Sequence, residues 1–214
     1  FDIEKDFVPV SMLSKLNLAL VASPKTGFNT LKDIVAFSKT HPATLSYAGS
    51  ERGSNNHLAG ELLKKSAGID MQHVPYKDSS YISDLIEGRL QLAIMTLTSV
   101  ARYLDSGQLK GIAVLGESRD PTYSALATVQ ELGVSMPSLD AGNGFLVRAG
   151  TDPKIIAILN REIAAVLDLP EIKERFKQMG AIAISGTPRQ YADKLSSDIA
   201  LWQKVMTESN IKIE

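Results

Sequence analysis

Apolar residues in this chain recur with two periods that alternate almost from end to end, short runs of strand length followed by longer segments with a helical repeat. Val8 to Leu13, Leu18 to Ala22, Leu45 to Ala48, Gln72 to Tyr76, Leu90 to Met95 and Leu109 to Leu115 read as strands. Between them lie helical segments with recognisable ends. Thr30 opens one with a Thr-x-x-Asp box closed by Asp33, and Pro42 follows it. Ser54 or Asn55 caps a second, whose Leu58, Leu62 and Leu63 share one side and which stops at Gly68. Tyr81, Ile82, Leu85 and Ile86 make a third that ends at Gly88. Thr98 or Ser99 caps a fourth, with Val100, Tyr103 and Leu104, and Gly107 ends it. This alternation predicts an α/β fold with largely parallel sheets.

After Glu117 the texture changes. Ala127 to Leu132 reads as a short helix, Ser135 to Gly144 as a loop of small residues, and Phe145 to Val147 as a strand. Asp152-Pro153 opens a helix with proline at its first position, and Ile155, Ile156, Leu159, Ile163, Val166 and Leu167 define its buried face. Pro170 starts a shorter helix that Gly180 ends. Thr187 to Gln190 is a second capping box, and Tyr191, Leu195, Ile199, Trp202 and Met206 recur at spacings of four, four, three and four. That stripe is expected to pack in the core.

The segment richest in chemistry is Leu45 to Leu63, where a strand runs into Gly49, Ser50, Gly53 and Ser54 and then directly into a helix. Glycines let the backbone turn and approach a ligand closely, and the first amides of a helix have no partner inside it. Such a turn can hold a carboxylate, sulfate or phosphate. It matches neither GxGxxG nor GxxxxGK[ST], so a nucleotide site is not favoured. His57 lies in the first helical turn, where its ring either reaches a bound anion or is an exposed side chain without a role. Val74-Pro75-Tyr76-Lys77 ends a strand with an aromatic and a cation at the edge where α/β sheets bind ligands, the alternative for Lys77 being a solvated surface cation.

Bulk properties narrow the function classes. The 214 residues carry a net charge of −1 with 22% charged residues, without the basic runs that track a nucleic-acid backbone. Cysteine is absent, which removes disulfides and thiolate chemistry, and His41, His57 and His73 stand in separate elements without metal-ligand spacing. No GxSxG elbow or SxxK set is present, so neither a metal, a cofactor nor a catalytic residue is expected. Apolar runs are too short to insert in a membrane. The chain begins at Phe1 without a basic and apolar leader, which reads as a processed or trimmed product.

Taken in order, several segments resemble the extracytoplasmic solute receptors of tripartite tricarboxylate transporters, also called Bug receptors. Asp6-Phe7-Val8-Pro9-Val10-Ser11 resembles the family's "kDFxPVs", and Leu45 to Leu63 its "LxYgSxGxGSxxHLaGEl". Val74 to Lys77 resembles "HVPYKG", Gly88-Arg89-Leu90 the start of "GqvDl", and Gly180 with Gly186-Thr187-Pro188 the late "lGaxxxxgTPexf". The resemblance implies a two-lobed, type II periplasmic-binding-protein-like fold that closes on a small organic carboxylate and serves the membrane components of such a transporter. It implies that residues 24–116 are an inserted lobe and that residues 1–23 and 117–214 build the other, which would be incomplete because family members begin with a further strand, loop and helix. Leu18 to Ala22 and Ile112 to Leu115 would be the hinge. Carried over by residue, Gly49, Ser50, Gly53, Ser54, Asn55 and His57 form the anion cradle, Tyr76 and Lys77 flank it, and Asn143 faces the cleft from a loop of the opposite lobe. The family often has an acid where this chain has Met95, followed by Thr96, and a glycine where it has Asp78. Loss of that acid favours a ligand with an apolar body over one with an amino group.

Two other function classes use the same features. An α/β transferase or hydrolase could hold a phosphorylated substrate on the Gly/Ser loop with His57 as its base, and a sensor could bind the same solute and signal through a protein partner.

Overall fold

Strands and helices alternate as the apolar pattern predicts, in the order α1 (Ile3–Asp6), β1 (Phe7–Ala22), α2 (Leu31–Thr40), β2 (Leu45–Gly49), α3 (Asn55–Ala67), β3 (Met71–Pro75), α4 (Tyr81–Glu87), β4 (Leu92–Thr96), α5 (Leu97–Asp105) and β5 (Lys110–Val114), followed by β6 (Asp140–Arg148), α6 (Pro153–Asp168), α7 (Pro170–Gln178), β7 (Ile182–Ala183) and α8 (Pro188–Glu208). The computed structural model describes residues 1–211. The chain divides into two units, one made of Phe1–Leu16 with Ala141–Lys204 and the other of Asn17–Asp140 with the stretch from Val205 onward.

The second unit is built on strands in the order β3-β2-β4-β1-β5. β2 runs parallel to β3 and β4, while the carboxyl half of β1 runs antiparallel to both β4 and β5. The sheet is therefore mixed rather than largely parallel. The reason is topological: β1 precedes the strand–helix repeats and enters between two strands that the repeat alone would have paired. Side chains of successive strand residues point to opposite faces, and both faces here are covered. Ala19, Val21, Ala48, Ala93 and Met95 pack with Tyr81, Leu85, Leu97 and Val100 of α4 and α5. On the other face the fully buried Tyr47 meets α3 at Gly60, where a Cβ would lie 2.2 Å from the ring.

Local start and stop signals hold. Thr30 and Asp33 form both bonds of the capping box, Ser54 caps α3 by accepting from His57 N, and Gly68 and Gly88 end α3 and α4 with φ of 63° and 78°. The cap of α5 is Thr96, ahead of the Thr98 or Ser99 expected. Ala127 to Leu132 is a set of turns, not a helix, because its backbone is already used by β5: Val114 N donates to the Ala127 carbonyl and Val129 N to that of Val114. Leu139 N donates to the Leu115 carbonyl, so residues up to Asp140 join this unit rather than leaving it at Gly116.

In the first unit the amino half of β1 pairs with β6 and β7. Ser14 and Lys15 lie opposite Ala183 and Ile182, which keeps this polar stretch extended and makes β1 one strand of 16 residues instead of two. β6 begins at Asp140, so the small residues before Phe145 belong to a strand and not to a loop. Their size serves close approach: a Cβ on Gly142 would lie 2.5 Å from the Ser14 carbonyl oxygen, and one on Gly144 would lie 2.4 Å from the Tyr191 ring. Asn160 of α6 donates to the carbonyls of Val10 and Gly186 at 2.8 and 2.7 Å. The predicted buried face of α6 is only partly covered, with Ile156 and Leu167 buried but Ile155 and Val166 about half exposed and Leu159 exposed as well. The Thr187–Gln190 box forms at the start of α8, whose apolar stripe is half-buried, with Val205 its one buried residue among those described.

Replacing Gly60 with Ala forces a methyl group into the Tyr47 ring, and overpacking of this kind costs about 1–3 kcal/mol. Gly186→Ala, whose Cβ meets nothing nearer than 3.5 Å, should change stability by less than about 0.5 kcal/mol. Urea unfolding followed by circular dichroism checks both, and a Gly60→Ala protein as stable as the parent contradicts the packing described.

Candidate functional site

Because β2, β3 and β4 are parallel, Gly49, Pro75 and Thr96 end at one edge of the sheet, and the connections to α3, α4 and α5 leave from it. Ligands of open α/β sheets bind at such carboxyl edges. The β2–α3 connection is shaped by a few bonds. Tyr76 N donates to the Gly49 carbonyl, Ser54 N donates to that of Glu51, and Gly53 takes φ of 82°, a left-handed conformation that favours glycine. Ser54 Oγ accepts from His57 N at 3.3 Å, while the amides of Asn55 and Asn56 open the helix ahead of that bond, where the helix supplies no acceptor. The amino end of α5, which starts at Leu97 with no side-chain cap bond, leaves the same sheet edge. Partial positive charge from two helix ends therefore meets the carboxyl edge of the strands.

Two histidines lie beneath the loop. His57 is only 5% exposed, and its Nδ1 accepts the Gly53 N–H at 2.9 Å. His73 of β3, opposite Tyr47 in the parallel register, donates from Nε2 to the Ser50 carbonyl at 3.1 Å. The two rings stack with centroids 3.9 Å apart. Burial is the main reason that both ionise below the ordinary histidine range, and for His73, with the neighbouring His57 adding to it, the value falls to about 4. Tyr47 donates to the His57 carbonyl and to Glu61 Oε1 at 3.1 and 3.0 Å, and its burial pushes the phenol far above its usual range.

The remaining predicted residues divide. Met95, 8% exposed, and Thr96 stand at the end of β4. Asn56 reaches across to them, donating from Nδ2 to Ser50 Oγ at 3.3 Å and to Met95 Sδ at 3.5 Å, and the Thr96 hydroxyl clusters with those of Thr98 and Ser99. Asn55 Oδ1 is buried with no hydrogen-bond partner among the described residues. Tyr76 is half-buried, and its hydroxyl donates to Asp84 at 2.6 Å; burial and that carboxylate raise it to about 12. Arg89 holds Asp84 in turn, and Lys77 is exposed at the end of β3. Asn143 sits within β6, not in a loop, and donates to Ser14 Oγ at 3.2 Å inside the first unit. Gly49, Ser50, Gly53, Ser54, Asn55, His57, Tyr76, Lys77, Met95 and Thr96 all belong to the second unit and to its carboxyl edge or the loops that leave it.

Asn56 and His73 are the residues that sequence reading passed over. Asn56 was visible as the second residue of the helix after a Gly/Ser turn, and His73 as the residue that parallel pairing of equal-length strands sets beside Tyr47. Among the described residues no group of three or more His, Asp or Glu has the geometry of a metal site, and no helix is long and apolar enough to cross a membrane.

Comparison with known proteins bears on the fold and the family. BugT of Bordetella pertussis is 33% identical over 217 residues, covering 100% of this chain, which spans 66% of BugT's own length. A solved R. palustris protein with adipate superposes with a TM-score of 0.86 at 29% identity, over 99% of this chain and 71% of that one. A structure described as a periplasmic transporter gives the same TM-score at 25% identity, over 100% of this chain and 72% of its own. These likenesses establish the α/β fold of periplasmic binding proteins. The model of the tripartite tricarboxylate transporter family receptors matches residues 1–211, and the chain belongs to that family.

Proposed function

We propose that this chain is the solute-binding part of a periplasmic receptor that holds one carboxylate of a small organic acid on the β2–α3 loop and presents the solute to the membrane components of a tripartite tricarboxylate transporter. The observation that carries the reading is the loop itself. Gly49, Ser50, Gly53 and Ser54 bring backbone amides and hydroxyls to the start of α3, with Asn55 beside them and Thr96 at the start of α5. Backbone amides at a helix start suit an anion without needing a buried cation. The relative solved with adipate and the family to which the chain belongs support a carboxylate over a phosphorylated substrate.

In this reading Tyr76 and Lys77 flank the anion from the end of β3. Met95 sets the preference for the body of the ligand. A thioether at the end of β4 gives an ammonium group no partner, while methylene groups lose nothing against it. Micromolar affinity corresponds to about 8 kcal/mol, which charge-assisted bonds to amides and an enclosed apolar body can supply. No step of this function breaks or forms a covalent bond.

Isothermal titration calorimetry of adipate and aspartate tests the reading. Adipate should bind, and aspartate should bind at least about tenfold more weakly; equal or tighter binding of aspartate contradicts the role given to Met95. Gly53→Ala should weaken adipate binding about tenfold or more while the protein still unfolds cooperatively, because a residue with a Cβ resists the left-handed turn that aims the loop. Unchanged affinity would place the anion elsewhere.

A further inference from the structure

The stacked histidines do something that neither the fold nor a carboxylate site requires of them. We infer that His57 and His73 are positioning residues that pin the two sides of the anion loop, and that the loop keeps its ligand-accepting shape only while both rings are neutral. This rests on the receptor reading for its ligand, but not for the loop itself.

The geometry is specific about protons. His57 Nδ1 accepts the Gly53 N–H, so that nitrogen must be unprotonated, and a second proton on the ring destroys the bond. His73 uses its Nε2–H to hold the Ser50 carbonyl, at the start of the same loop. The backbone of Gly49 runs so close above the pair that a Cβ there would lie 2.8 Å from His73 Nε2 and 3.2 Å from His57 N. With the rings 3.9 Å apart, a charge on one opposes a charge on the other. Loop, helix start and strand end thus converge on two imidazoles that touch each other.

Burial, more than the neighbouring charges, favours the neutral pair. Burial opposes ionisation of both rings most strongly, Arg52 of the loop opposes it for both, and Lys64 of α3 adds to this for His57. Glu61 of α3 works the other way on both rings, but it is engaged by the Tyr47 hydroxyl and by Lys64. The Ser50 carbonyl also favours a proton on His73, though less than burial disfavours it. Each ring therefore ionises below the value of about 6.5 that it has in the unfolded chain. The sign follows: above about pH 6.5 the pair costs nothing, and as pH falls from there to about 4 the unfolded chain binds protons that the folded loop refuses. Acid thus loosens the loop in that window, apart from any protonation of the ligand.

Two substitutions separate bonding from titration. Asn at 57 places an amide oxygen near Nδ1, and Gln at 73 places an amide N–H near Nε2, so His57→Asn with His73→Gln keeps both bonds and removes both ionisations. His57→Leu keeps bulk and removes the acceptor. In the whole chain, adipate affinity at pH 7 should survive in the Asn/Gln double variant within about threefold and fall about tenfold or more in His57→Leu. Between pH 7 and 4 the parent should lose at least about tenfold more affinity than the double variant, which reports the ligand's own ionisation. Ligand-free NMR supplies the independent readout: the Gly53 amide signal should move together with the imidazole signals of His57 and His73 as pH falls. A Gly53 signal that does not move with those of His57 and His73, or a double variant that loses affinity with acid as steeply as the parent, overturns the inference. Absence of adipate binding at every pH would sink the receptor reading, while the Gly53 titration would still decide the role of the histidines.

Discussion

Contact between Tyr47 and Gly60 fixes where α3 begins, and the site depends on that beginning. Tyr47 is fully buried on the central parallel strand, and its ring fills the space that a side chain at Gly60 would need. Its hydroxyl then binds the His57 carbonyl and Glu61, one helical turn apart on the same helix. A helix held at its middle and its first turn against β2 presents its amino end at the carboxyl edge of β2, β3 and β4. Five residues of loop, from Ser50 to Ser54, have only to bridge that short distance, and the two histidines fill the space beneath them.

The same logic explains why the anion site proposed at this edge needs no buried cation. Amides at the start of α3, the start of α5 and the hydroxyls of Ser50 and Thr96 supply donors whose positions are set by secondary structure rather than by flexible side chains. Lysine and arginine near the edge, Lys77 and Arg52, are exposed. On the function proposed, release of the solute gains from this economy, since partial charges at helix starts bind an anion less tightly than a buried cation would.

Much of this was legible in the sequence. Periodicity placed the strands and helices of the second unit, and capping signals at Thr30, Ser54, Gly68, Gly88 and Thr187 marked their ends, because those signals act through bonds between near neighbours in the chain. What periodicity could not show were events set by distant strands. β1 inserts between β4 and β5 and makes the sheet mixed; Ala127 to Leu132 gives its backbone to β5 and so cannot coil; Gly142 and Gly144 look like loop residues but are small because Ser14 and Tyr191 crowd them. The Gly/Ser turn into α3 was legible in the sequence, whereas the stacking of His57 on His73 joined residues on different elements and became visible only once β2 and β3 were paired. Asn143 was set facing the ligand only by the family resemblance, and the strand it occupies gives it Ser14 as a partner.

The most direct test of the account is to titrate adipate into the isotopically labelled chain and follow its backbone amides by NMR. The account predicts that the largest shifts fall on Ser50 to His57 and on Thr96 to Ser99, at the starts of α3 and α5. Shifts concentrated instead on the groove at the other end of α3, around Lys65, Gly68 and Asp70, or no shifts at all at saturating ligand, would contradict it.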